Sequence, residues 1–216
     1  MKNNVTIIRL KWVKQREKHN DKAISFKNHL ELAPLFSLID RHLASHDNML
    51  IAIDGFSTAG KTTFASFLGE TFDANVFHTD DFFKKITTDP NDPQSVYGNN
   101  IDFDKMIESI IKPYHKLEPI IYRPFDVRMH QHLEPTLYSH RMITIIEGAY
   151  SMHPRLIDEY DLKIVMTTSR LSSYIRLFKR NGFKKLFDFI LTWIPRERRY
   201  FKALNIKDDA DVIIKR

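Results

Sequence analysis

The segment Gly55-Phe56-Ser57-Thr58-Ala59-Gly60-Lys61-Thr62 constrains this chain more than any other feature. It fills every fixed position of the pattern G-x-x-x-x-G-K-[ST]. An apolar run, NMLIAID (48–54), precedes it, and a helical stretch from Lys61 to Leu68 follows. The order is therefore buried strand, glycine turn, helix. Gly55 and Gly60 permit a turn whose backbone N–H groups converge on phosphate oxygens. The helix N-terminus adds the positive end of its dipole. Lys61 supplies a mobile charge for β- and γ-phosphates, and the Thr62 hydroxyl can ligate Mg²⁺. Ser57, Thr58, Ala59 and Thr63 complete the cradle. The alternative is a glycine turn that fits by chance, and the flanking strand and helix weigh against it. The pattern implies nucleotide binding. By itself it does not choose between a kinase, a GTPase, a motor and a binding module.

The rest of the chain repeats the alternation of strand and helix. VTIIRLKWV (5–13) partly alternates, and reads as a short strand or hairpin arm before a polar stretch. Residues 29–46 have apolar residues at helical spacing. NVFH (75–78), PIIYR (119–123), MITIIEG (142–148), DLKIVMT (161–167) and DVIIK (211–215) read as strands. Residues 87–100, rich in Pro, Asn, Asp and Gly, read as a loop. Helices are expected over 103–111, from 169 to about 193, and over 195–204. Such alternation implies an α/β layered fold with a mostly parallel sheet flanked by helices.

Composition sets the outer bounds. The 216 residues suit one domain, with 1–47 expected as an N-terminal extension to a domain spanning 48–216. The absence of cysteine excludes disulfides, thiol catalysis and thiolate metal sites, and fits a reducing, cytoplasmic location. No run reaches the roughly 18 apolar residues of a spanning helix. The first residues lack the apolar core of a secretory signal, so none is expected. The net charge of +6 is uneven: residues 1–22 and 170–216 are basic, whereas 23–169 carry more acids than bases. An acidic body argues against a general nucleic-acid surface, and a basic C-terminal segment suits a polyanionic small ligand. The basic, alternating arm at 5–13 suggests a strand that packs on a neighbour or a second subunit, and the second case would make a homo-oligomer.

Acids at strand ends narrow the chemistry. HTDDFF (78–83) places Asp80 and Asp81 at the end of the strand after the glycine loop. Beside a triphosphate, one could accept a hydroxyl proton and one could hold Mg²⁺; equally, the pair could cap a helix. Glu147, ending IIEGAY (145–150), stands where a Mg²⁺-organising acid belongs, the alternative being an exposed acid before a turn.

GFSTAGKTT, TDDFF, NNIDFD (99–104), FDVRMH (125–130) and IIEG, in this order, resemble the uridine kinase, nicotinamide riboside kinase and phosphoribulokinase group of P-loop kinases. EGAYSMHP, DLKIV, RNG and WIPRERRYF look closest to small bacterial uridine-kinase-like proteins. The resemblance covers about 48–216. It implies a P-loop NTPase fold with a helical lid around 169–193, and ATP and Mg²⁺ as cofactors. The implied reaction is transfer of the γ-phosphate to a nucleoside 5′-hydroxyl. Asp80 matches the proton-accepting aspartate, and Thr62, Asp80 and Glu147 the metal positions. Asp102 matches the aspartate that binds ribose hydroxyls. His130 matches the base-facing histidine, and Phe125 stands where the family carries tyrosine. That exchange keeps a stacking ring and loses a hydroxyl, which bears on base preference. Asp102 can equally cap helix 103–111, and His130 can equally be a surface histidine.

Arg176 and Arg180 lie four apart, on one face of the expected lid helix. Guanidinium groups there could close over the charge that develops on a transferring phosphoryl group. The alternative is a solvated basic face. Arg196, Arg198 and Arg199 read as surface residues, and Trp193 reads as core packing. Rival acceptors are nicotinamide riboside, pantothenate or a sugar phosphate. Rival classes are a nucleotide-binding regulator without turnover and a nucleic-acid-binding protein.

Overall fold

The structure, a computed structural model, describes residues 5–9, 29–84, 97–126, 129, 131–169, 173, 175–176, 178, 191 and 193–216. Among them, β1 (Thr6–Arg9), β2 (Met49–Gly55), β3 (Asn75–His78) and the later strands β8 (Ile143–Glu147), β9 (Leu162–Thr167) and β10 (Val212–Lys215) form one sheet in the order β1-β10-β9-β2-β8-β3. Every neighbouring pair is parallel. The mostly parallel α/β architecture expected from the alternation is therefore present.

Period-two side-chain alternation explains how this sheet is buried on both sides. In β2, Leu50 and Ala52 point into one apolar cluster, whereas Met49, Ile51 and Ile53 point into the other. In β9, Val165 joins the first cluster, and Leu162, Ile164 and Met166 join the second. The second cluster is closed by α1 (Ala33–Leu43) and α2 (Lys61–Phe72), which supply Leu35, Ile39, Phe64, Ala65 and Leu68 at helical spacing. Pro34, at the start of α1, lacks an N–H where none is needed.

The first cluster is covered by a helix running from α3 (Phe103–Met106) through a π-helical turn (Ile107–Ile111) into α4 (Lys112–His115). It continues past the residues that read as helical in the sequence. Pro113 has no N–H to offer the preceding turn, and the widened turn sits directly before it. The helix α5 (Ile194–Ala203) covers the rest of this face with Tyr200 and Phe201.

Two small antiparallel pairs stand outside the main sheet: β4 (Ile120–Tyr122) with β7 (Thr136–Tyr138), and β5 (Phe125–Asp126) with β6 (Gln131–His132). The N-terminal strand packs on a neighbouring strand of the main sheet. It pairs in register with β10 of its own chain, Thr6 with Val212 through Arg9 with Lys215. Most of the expected lid, including Arg170 and Arg180, and the greater part of the 87–100 loop lie outside the described residues, as does His130.

Candidate active site

The C-terminal ends of β2, β8 and β3 meet at one edge of the sheet, the place where parallel α/β folds bind ligands. β2 runs into the glycine loop, and α2 begins at Lys61. Gly55, at φ +152°, passes so close to β9 that a Cβ there would collide with the Met166 carbonyl. Gly60 caps α2 in the left-handed region at φ +97°. Thr58 takes φ +66° without being glycine. Its hydroxyl donates to Ser173 Oγ at 3.0 Å, and its carbonyl accepts from Arg176 at 2.6 Å.

A cavity of about 530 Å³ opens above this loop, in the size range of small-ligand sites. Ser57, Thr58, Gly60, Lys61, Thr62 and Thr63 line one side, and Asp80 and Glu147 line it from the neighbouring strand ends. Gly55 and Ala59 are not among the lining residues; Ala59 is fully buried beneath them. The Lys61 ammonium donates to the carbonyls of Gly55 at 2.8 Å and Phe56 at 3.4 Å, so it lies folded along the loop.

Three groups of the expected metal set share this space. The Thr62 hydroxyl donates to Glu147 Oε1 at 2.9 Å, and Asp80 lines the same wall. Burial pushes the Asp80 carboxyl up and Lys61 pulls it down, with Glu147 adding to the rise. Hard oxygen donors, two of them carboxylates with mutual repulsion to relieve, fit Mg²⁺. That ion keeps several waters and takes few protein ligands.

The adjacent acids have separate surroundings. Asp80 faces the cavity, whereas Asp81 points at the small strand pairs. Asp81 Oδ2 accepts the Tyr122 hydroxyl, and Oδ1 accepts the Phe125 N–H at 2.9 Å. Tyr122 Oη in turn accepts the His78 N–H at 3.1 Å.

Other expected site residues stand apart from the cavity wall. Asp102 caps α3, accepting the Lys105 N–H at 3.1 Å, while its neighbours Asn100 and Ile101 line the cavity. Phe125 is half-buried in β5, its ring 5.1 Å from that of His132. Arg176 does not line the cavity; besides Thr58 it donates to the Thr168 hydroxyl at 3.1 Å. Arg180 and His130 lie outside the described residues. Trp193, read as core packing, is instead half-buried on the cavity wall, with the Arg196 guanidinium 5.8 Å from its ring.

Three polar residues escaped the sequence reading. His78 Nδ1 lies 2.6 Å from Glu147 Oε1. Burial would lower the pKa of His78, but that bond and the charges of Glu147, Asp81 and Asp80 outweigh it and raise it. Asp54 is fully buried and accepts from Gly55 N at 2.6 Å, Met152 N at 3.1 Å and the Tyr200 hydroxyl at 2.8 Å. Burial pushes it up to about 6, against Lys61 and these three bonds. Glu197, from α5, accepts from the Ser57 N–H and hydroxyl. One signal was available: an aspartate ending an apolar strand directly before a glycine turn has no solvent to face.

The same arrangement of strands and loop recurs in solved structures. A Bacillus stearothermophilus protein described as a possible uridine kinase superposes with a TM-score of 0.61 at 20% identity, over 84% of this chain and 99% of its own. A Silicibacter sp. TM1040 protein, provisionally described as a fructose transport system kinase, gives 0.54 at 19% identity, over 84% and 98%. This is a P-loop kinase fold. A Saccharomyces cerevisiae protein, provisionally described as a P-loop-containing kinase with a circular permutation, shares the P-loop kinase fold with a TM-score of 0.53 at 11% identity, over 87% and 98%. No protein-family model and no curated protein matches the chain. Among the described residues, no helix is long and apolar enough to cross a membrane.

Proposed function

We propose that this P-loop kinase fold works as an ATP- and Mg²⁺-dependent kinase whose acceptor is a nucleoside 5′-hydroxyl. The observation that carries the reading is the meeting of Lys61, Thr62, Asp80 and Glu147 in one cavity beside the phosphate loop.

The loop N–H groups and Lys61 hold the triphosphate, and Thr62, Glu147 and Asp80 would hold Mg²⁺. The ion would neutralise charge on the phosphate oxygens. The acceptor hydroxyl attacks the γ-phosphorus; its O–P bond forms as the bond to the bridging oxygen breaks, and ADP leaves. Asp80 takes the hydroxyl proton. Its raised pKa suits the task, because a carboxyl pushed up is a better base near neutral pH. Positioning and charge supply most of the acceleration. Arg176 stiffens Thr58 from outside the loop. Arg180 is assigned to the lid and Phe125 and His130 to the base, on the family resemblance.

The test is acceptor-dependent ADP release by the purified protein with MgATP. The panel covers ribonucleosides, nicotinamide riboside, pantothenate and sugar phosphates, with Lys61→Ala as control. Release with ribonucleosides, lost in the folded control, supports the reading. No acceptor-dependent release across the panel overturns the kinase assignment.

A further inference from the structure

The helix α5 grips the beginning of the phosphate loop residue by residue. Its Tyr200 hydroxyl donates to Asp54 Oδ2 at 2.8 Å, and Asp54 Oδ1 accepts the Gly55 N–H at 2.6 Å. The Phe201 ring lies 4.8 Å from that of Phe56. Glu197 accepts the Ser57 N–H at 3.2 and 3.0 Å through its two oxygens, and Oε1 also accepts the Ser57 hydroxyl. Positions 197, 200 and 201 share one helix face. Four consecutive loop residues, 54 to 57, are thus tied to that face directly or through Asp54.

Glu197 is the costly member of this set. It is only 5% exposed, yet it borders a cavity built for a polyanion. A buried carboxylate is retained only when its hydrogen bonds repay desolvation. Its partners here are a backbone N–H and a hydroxyl on the loop itself. By engaging both, Glu197 fixes the orientation of the Phe56–Ser57 peptide. The turn that follows, Thr58 to Gly60, then enters α2 at a set angle, with the Ala59 N–H closing it on the Phe56 carbonyl at 3.0 Å.

We infer that Glu197 is a positioning residue of the phosphate loop: its carboxylate pre-sets Ser57 so that the triphosphate meets an already organised cradle. The inference rests on the reading of residues 55–62 as the triphosphate site. Pre-organisation matters because any ordering done at the moment of binding is subtracted from affinity.

The experiment is calorimetric binding of a non-hydrolysable MgATP analogue to the full chain, in wild type, Glu197→Gln, Ser57→Ala and the double variant. Thermal midpoints are read without nucleotide. Each single variant is expected to weaken binding by about tenfold, equivalent to about 1.4 kcal/mol. The double variant should weaken it no further, because both changes break one interaction. In turnover assays, Glu197→Gln should raise KM for ATP and leave KM for the acceptor unchanged. Glu197→Asp keeps the charge and shortens the reach, so it should bind the analogue more weakly than wild type; it replaces Glu197→Gln if that variant does not fold. Additive losses, or unchanged affinity with a lowered midpoint, would reduce Glu197 to a structural residue and overturn the inference. Tighter binding by Glu197→Gln would mean that the carboxylate opposes the triphosphate, and overturns it too. If wild type binds no analogue, the triphosphate reading itself fails, and the role of Glu197 with it.

Discussion

His78 and Glu147 are register partners across β3 and β8, and His78 Nδ1 lies 2.6 Å from Glu147 Oε1. The same oxygen accepts the Thr62 hydroxyl from the start of α2. One carboxylate therefore joins two strand ends to the helix that leaves the phosphate loop. Gly148 follows it at φ +141°, where a Cβ would collide with the Thr79 hydroxyl. The close pairing of β3 with β8 is what brings Asp80 to the same wall.

Glu147→Gln tests whether this carboxylate organises a cation. The amide keeps the shape and loses the charge. The Mg²⁺ concentration for half-maximal turnover should rise by about 10- to 100-fold, the usual scale for altered metal surroundings. A titration of turnover against Mg²⁺ checks this, and an unchanged midpoint would place the ion elsewhere.

Asp80 and Asp81 should separate cleanly. Asp80→Asn removes the proposed base, and kcat should fall by about 10²- to 10⁴-fold with nucleotide affinity largely kept. Asp81→Asn strains the bonds to Tyr122 and the Phe125 N–H. It should cost about 1–3 kcal/mol of stability and leave kcat per folded molecule within a few-fold. Paired turnover and denaturant melts decide it; a reversed pattern would exchange the two roles.

The legible parts were those written in local pattern. β2, β3 and β8 were visible as short apolar runs, and the loop as a motif with the right neighbours. The pairing of β1 with β10 was not, because nothing local in TIIR says that it meets VIIK some 200 residues later. From the residues alone, without the family resemblance, Asp81 looked equivalent to Asp80, because its partners, Tyr122 and Phe125, lie about forty residues on. Glu197 was hidden in the basic run RERR, where a surface face is the default reading. Its spacing to Tyr200 and Phe201 was the clue that the face turns inward. Arg176 was correctly placed on a helix, but its target was the loop backbone, which no sequence period encodes.

Asp54 gives a prediction in pH. Its pKa is raised from 3.8 to about 6 by burial, so the folded state holds a proton that the unfolded state has already released. Its contribution to stability therefore falls as pH rises through roughly 4 to 6, and the cost of burying the charge is fully present above that window. Two units correspond to about 3 kcal/mol. Asp54→Asn carries no such charge, so its stability relative to wild type should increase with pH across that window. Urea melts of both proteins at pH 4, 5, 6 and 7 measure the difference. A constant difference would mean that Asp54 is ionised throughout.

The acceptor side is tested through Asp102. In the structure Asp102 accepts the Lys105 N–H as the cap of α3, next to cavity-lining Ile101. A cap and a ribose ligand can be the same carboxylate, since each oxygen can take a separate donor. Asp102→Asn distinguishes the roles. Asparagine caps a helix as well as aspartate does, so stability should be nearly unchanged. As a ribose ligand, however, the charged acceptor is lost. A site built to bond a hydroxyl rejects the analogue lacking it, because its buried acceptor is left unpaired. Wild type should therefore favour ribonucleosides over 2′-deoxyribonucleosides by at least about tenfold in kcat/KM, or about 1.4 kcal/mol. Asp102→Asn should erase most of that preference and raise KM for the nucleoside but not for ATP. Steady-state kinetics with matched ribo- and deoxyribonucleosides provide the measurement. If the variant keeps the wild-type preference, Asp102 is a helix cap alone, and the ribose must be read by other residues around Asn100 and Ile101.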